Sequence, residues 1–252
     1  MKCIKDRLYL STIADDDYEQ AEAYGVGLEI AEFCTATNLE GELFEIFDSN
    51  VRIKMKSADR FVFHGPFAEL SPCCIDPRVR QVSMERYLQA IRLAETYGIK
   101  RVVLHSGFIP QVYFPHWYKE ESAKFWPELL EQIPADTEIL LENVMDPDPD
   151  LLCSVVKRVN DPRLRLCLDV GHANITACPM DRWLEKFKPF LHHVHLHNND
   201  GVTDTHDSLG CGSLDMEKLL DWLNENVPQA TITLEHMNDY DSMQWLEQRG
   251  YL

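Results

Sequence analysis

"LHHVHLHNNDGVTDTHDSLGCG" occupies Leu191–Gly212 and changes character at His197. Its first seven residues have the two-residue alternation of a β-strand, which sends His193, His195 and His197 to one face and leaves His192 outside that series. The rest is polar and turn-rich, with Asp204 and His206 at i, i+2, a spacing that points both side chains to one side of an extended segment. Gly210 and Gly212 are placed to let the loop turn back on itself. Two readings compete: an ordinary strand end with a solvent loop, or a segment that holds a metal ion.

The same element, a short apolar run followed by a polar loop, recurs along the chain. Strands are expected at 7–11, 27–33, 60–64, 101–105, 138–142, 164–169, 191–197 and 230–235. Helical spacing separates them: Met84, Leu88, Ile91 and Ala94 mark a helix within 77–97, stopped by Gly98. Further helices are expected at 39–47, 119–132, 150–159, 181–187 and 215–226, and at the C-terminus as a cover for the barrel or a contact in a homo-oligomer. Eight β-then-α units in 252 residues predict an α/β fold, a (β/α)8 TIM barrel in a single domain over residues 1–252. The alternative, an open doubly wound sheet, lacks a G-x-G-x-x-G after an early strand.

From the third strand onward the strands end in His64, His105, Glu142, Asp169, His197 and Glu235. In a barrel those ends meet at one mouth. Taken singly, a His there is more often a hydrogen-bonded core residue, and an Asp or Glu a helix N-cap or a salt-bridge partner. A ring of three histidines and three carboxylates is costly to bury without cations. His172 follows Asp169 by three residues, and Asp204 and His206 complete a set of nine. Histidine and carboxylate without cysteine suit zinc first, then manganese, cobalt or iron, in a working site. Nine ligands exceed one ion, so one to three divalent ions per chain are expected. His195, one layer below His197, is read as a supporting residue.

The chain is 45% hydrophobic and carries a net charge of −18, from 42 acids against 24 Lys and Arg. Between Leu8 and Val51 there are eleven acids and no basic residue, which weighs against nucleic acid as a partner. No run of about 20 apolar residues predicts a membrane span. The opening "MKCIKDRLYLSTIADDD" lacks a secretory pattern, and eight scattered cysteines read as reduced thiols, so a cytoplasmic location is expected.

Taken together, "FHGPF", "VVLHSG", "LLENV", "LCLDVGHAN", "HLHNND", "DTHDSLGCG" and "TLEH" resemble the xylose isomerase-like TIM barrels, which include endonuclease IV and many sugar and sugar-phosphate isomerases and epimerases. The resemblance covers about residues 60–236. It implies a metal held by Glu142, Asp169, His197 and Glu235, as in the isomerase branch. The endonuclease IV pattern adds His64, His105, His172, Asp204 and His206 and implies three zinc ions. These would be shared among His64, His105 and Glu142; Glu142, Asp169, His197 and Glu235; and His172, Asp204 and His206.

Two functions follow from that resemblance. "HGPFAELSP" and "HLHNNDG" are similar to the sugar-phosphate isomerases and epimerases, where the metal would hold two adjacent oxygens of a hydroxy-carbonyl substrate and Glu142 and Glu235 would move protons to and from the carbon lying between these two carboxylates. A three-ion site instead suits phosphoester hydrolysis. Ala68, where DNA-binding relatives place a bulky wedge, and the lack of Lys or Arg over 34–51 weigh against abasic-site cleavage. The expected partner is a small sugar or phosphosugar. A barrel that binds metal without chemistry is the third alternative. Phe67, Asn143 and, from the aromatic loop 110–121, Trp117 are expected at the substrate; Asn143 and Ser106 read equally as supports or helix caps.

Overall fold

The computed structural model describes residues 2–252. Eight strands form a closed, wholly parallel barrel, each paired with the next and β8 with β1. They are β1 (Leu8–Ser11), β2 (Gly27–Ile30), β3 (Phe61–His64), β4 (Arg101–His105), β5 (Glu138–Glu142), β6 (Leu164–Asp169), β7 (Leu191–Leu196) and β8 (Thr231–Leu234). Outside lie α1 (Asp17–Tyr24), α2 (Gly41–Lys54), α3 (Pro77–Thr96), α4 (Pro115–Leu130), α5 (Asp150–Val159), α6 (Val170–Asn174), α7 (Met180–Phe187), α8 (Met216–Asn226) and α9 (Tyr240–Gln248). The expected TIM barrel is the fold.

The strands read as near-continuous apolar runs because both faces are buried. Val102, Leu104, Ile139 and Leu141 belong to the large core between sheet and helices. The alternate residues fill the barrel: Tyr9, Val62, Val103, Leu140 and Cys167 form a separate apolar cluster. Two residues further along their strands, on the same face, stand His64, His105, Glu142 and Asp169. The apolar layer is therefore the floor on which the polar layer rests.

One irregularity aims β7. Its pairing with β6 skips from Leu191 to His193, leaving His192 as the extra residue of a bulge. His192 turns outward and bonds Glu138 at 2.7 Å, while His193, His195 and His197 are fully buried.

Helix boundaries moved where local chemistry is strong. α4 starts at Pro115, not 119, because proline suits the first helical turn. α2 runs to Lys54, well past the expected 47. The C-terminal helix α9 buries Ser242, Met243 and Leu246, and the Ile4 N–H bonds the Tyr251 carbonyl at 2.8 Å, so this segment covers the barrel. Among the described residues no helix is long and apolar enough to cross a membrane.

Candidate metal centre

All nine residues read as ligands lie in one contiguous cluster at the C-terminal mouth. His64 Nε2 and His105 Nε2 each stand 3.4 Å from Glu142 Oε2. His172 Nε2 and His206 Nε2 stand 3.1 and 3.3 Å from Asp204 Oδ2. Between these groups, His197 Nε2 meets both Asp169 oxygens at 3.1 Å. His197, His206 and Glu235 also converge closely enough to share an ion.

The backbone fixes which imidazole nitrogen faces inward. His64 Nδ1 lies 2.9 Å from the Gly65 carbonyl, His172 Nδ1 3.0 Å from that of Asn143, and His206 Nδ1 2.8 Å from that of Glu235. A carbonyl only accepts, so each Nδ1 carries the hydrogen and each Nε2 lone pair points into the cluster when the ring is neutral. This is the usual outer bond of a metal-binding histidine. Glu142 Oε2, Asp204 Oδ1 and His197 Nδ1 are buried without a hydrogen-bond partner. Orphaned carboxylate oxygens facing imidazole lone pairs are a donor set that fits divalent cations.

Local folding supplies the aim. Asp169 caps α6 by accepting from the His172 N–H at 2.7 Å, which orients the helix that carries His172. A Cβ on Gly171 would lie 1.9 Å from His197 Cε1, so only glycine leaves room for that ring. The loop after β7 folds back through the paired backbones of Asn198 and Asp207, returning Asp204 and His206 to the mouth. Gly212 (φ 143°) packs its bare Cα against the Asn198 amide, whereas Gly210 shows no such backbone demand.

Beneath the cluster sits a residue the sequence reading missed. Glu29, buried in the middle of its strand, accepts from His193 Nε2 (2.9 Å), His195 Nε2 (3.0 Å) and Thr233 Oγ1 (2.6 Å). Burial opposes its charge, yet the facing His195 and His193 hold it well below the usual carboxylate range. His195 is likewise opposed by burial but raised well above its ordinary value by the acidic groups around it. Its Nδ1 reaches both Glu142 Oε1 and Glu235 Oε2 at 3.2 Å. His195 thus sits one layer below the ligand cluster, between Glu29 and the Glu142–Glu235 pair. A lone acid inside the apolar run "GLEI" was the available signal for Glu29.

Above the cluster opens a cavity of about 550 Å³, lined by Glu142, Glu235 and Phe67 among others. Phe67 stacks on the His105 ring, centroids 4.3 Å apart and planes within 11°. Two expectations need correction. Trp117 does not line the cavity: it lies in α4, packs on the core and donates its indole N–H to the Cys73 carbonyl at 2.9 Å. Ile109 and Tyr113 supply that wall instead. Asn143 does not line it either; its side chain clamps the Asp169 backbone, giving to the carbonyl and accepting from the N–H at 2.9 Å each. Ser106 donates to Asp146 at 2.7 Å.

Fold and donor cluster together place the chain in a known class of barrel. The chain belongs to the xylose isomerase-like TIM barrel family, whose model matches residues 20–251. A D-tagatose 3-epimerase-like protein superposes with a TM-score of 0.79 at 25% identity, over 97% of this chain and 96% of that one. A Thermus thermophilus protein soaked with ZnCl2 gives 0.76 at 27% identity, over 97% of each chain. A probable endonuclease 4 of Campylobacter hominis is 23% identical over 87% of this chain and 85% of its own length.

Proposed function

We propose that this protein is a divalent-metal-dependent isomerase or epimerase of a small sugar or sugar phosphate. The observation that carries this reading is the placement of Glu142 and Glu235. Both line the cavity, and both meet His195 Nδ1 at 3.2 Å. Two carboxylates on either side of a substrate carbon are what removal and return of a proton require. Bound ions would supply Lewis-acid polarisation of a substrate carbonyl or hydroxyl. Glu142 and Glu235 would take and give the proton, His195 and Glu29 would fix their orientation, and the Asn143 clamp would hold Asp169 in place. An acidic mouth suits a small molecule better than a nucleic acid.

The test is incorporation of solvent deuterium beside the carbonyl of ketoses and aldoses incubated with metal-loaded protein. Exchange that falls by about 100-fold or more in Glu142→Gln and Glu235→Gln fits the proposal. Phosphoester turnover without exchange would replace it with a second reading, a multinuclear phosphoesterase. That reading is favoured by the group His172, Asp204 and His206, which a one-ion isomerase does not need, and by the endonuclease 4 relative.

A further inference from the structure

The cavity over the metal-ligand cluster has two unlike ends. One is built from the imidazoles and carboxylates already described. The other is apolar, formed by Phe67, Leu70, Phe108, Ile109, Tyr113 and Met145 from the loops after β3, β4 and β5. Three of these are large side chains left in the open: Phe67 is 38% exposed, Ile109 43% and Met145 56%. Apolar surface gathered at a concave site usually marks what the site binds.

A phosphate finds little to hold it here. None of the described residues lining the cavity is Lys or Arg, and Glu69 adds a further carboxylate to the wall. TIM barrels commonly cradle phosphate at the loops after strands 7 and 8 with a helix N-terminus. In this chain four of the backbone donors near those positions are already taken. Asp16 accepts from the Asp239 and Tyr240 N–H groups at the start of α9, at 2.8 and 3.1 Å. Asp200 accepts from Val202 and Thr203 in the loop after β7, both at 2.8 Å.

We propose that the cavity takes an unphosphorylated, uncharged ligand with two neighbouring oxygens at one end and a ring-sized apolar group at the other. The oxygens would face the metal-ligand cluster and the apolar group would lie between Phe67 and Met145. A volume of about 550 Å³ admits both parts, within the ~300–1,000 Å³ of small-molecule sites. This narrows the substrate class of the proposed enzyme and rests on that reading for its oxygen-binding end alone.

Three bidentate oxygen probes separate the possibilities: acetohydroxamate, phenylacetohydroxamate and phosphoglycolohydroxamate, titrated calorimetrically into metal-loaded protein. The expected result is that the phenyl probe binds roughly ten-fold or more tighter than the acetyl probe, from burial of its ring, and the phosphate probe no tighter than the acetyl one. Ile109→Lys and Met145→Lys, both at exposed positions that tolerate a charge, shrink the phenyl advantage and strengthen the phosphate probe. A phosphate probe that outbinds the phenyl probe in the unaltered protein, or a ring that adds nothing, overturns the proposal. Should no hydroxamate bind, the metal reading fails, and crystals soaked in 2-phenylethanol decide the apolar end separately. A ring found between Phe67 and Met145 sustains it, and no ring there overturns it.

Discussion

The imidazole of His206 lies flat on that of His197, ring centroids 3.9 Å apart and planes within 6°. It gets there from a left-handed backbone, φ 51°, which costs a non-glycine residue on the order of 1–3 kcal/mol. Its Nδ1–H on the Glu235 carbonyl holds the ring in place. Strain kept at such a point is explained by what the Nε2 then faces. His206→Gly should therefore leave chelator-treated protein within about 1 kcal/mol of the original in urea unfolding, because relief of strain offsets the lost contacts. The same change should lower the metal bound per chain. A large loss of stability without metal, and no change in metal content, would make His206 a packing residue only.

Asp204 tests whether the cluster works as three groups. It stands between His172 and His206 and contacts no residue of the His64, His105 and Glu142 group in the ion pairs observed. In elemental mass spectrometry of protein purified without chelator, close to three ions per chain, falling by one in Asp204→Ala, would mean that the full cluster is filled and would rank phosphoester hydrolysis above isomerisation. About one ion, unaffected by the change, would mean that only Glu142, Asp169, His197 and Glu235 are occupied. Chelator should also lower the melting temperature, since an ion held at 100 times its dissociation constant adds about 2.7 kcal/mol.

Gly171 gives a steric test of the central group. The methyl of Gly171→Ala would meet three atoms of the His197 ring, at 1.9, 2.4 and 2.5 Å. That ring is wholly buried. The expected cost is about 1–3 kcal/mol in unfolding, with a loss of bound metal larger than that of Asp204→Ala. A variant with wild-type metal content would show that His197 is not needed as a ligand.

Much of this architecture is legible in the sequence because barrel strands carry two signals at once. The apolar run gives the strand, and the last inward residue shows where it stops, as with Leu140 and then Glu142. Positions set by tertiary contact are less legible. Trp117 looked like a wall residue by its place in an aromatic loop, but Pro115 starts α4 early and turns it onto the Cys73 carbonyl. Asn143 looked like a substrate contact by its place after Glu142, yet an amide there is the right length to bridge to the neighbouring strand end. Glu29 was hidden because its partners, His193 and His195, lie more than 160 residues away. Spacing along a chain does not report such a pairing.

Asp146 supplies a pH dependence outside the ligand set. Its carboxyl is buried, and that burial raises it to about 6 although Ser106 and the Val144 N–H both donate to Oδ2. Its other oxygen, Oδ1, has no partner. A carboxyl raised in the fold binds its proton more tightly there than in the unfolded chain, where it titrates near 3.8. Its contribution to stability is full below about 3.8 and is lost as pH rises through about 6. The span corresponds to about 3 kcal/mol at most. Relative to Asp146→Asn, the unaltered protein should lose stability between pH 4 and 7, read as diverging urea midpoints of chelator-treated samples. Parallel curves across that range would mean that Asp146 stays ionised in the fold, with its charge balanced by a group other than Ser106.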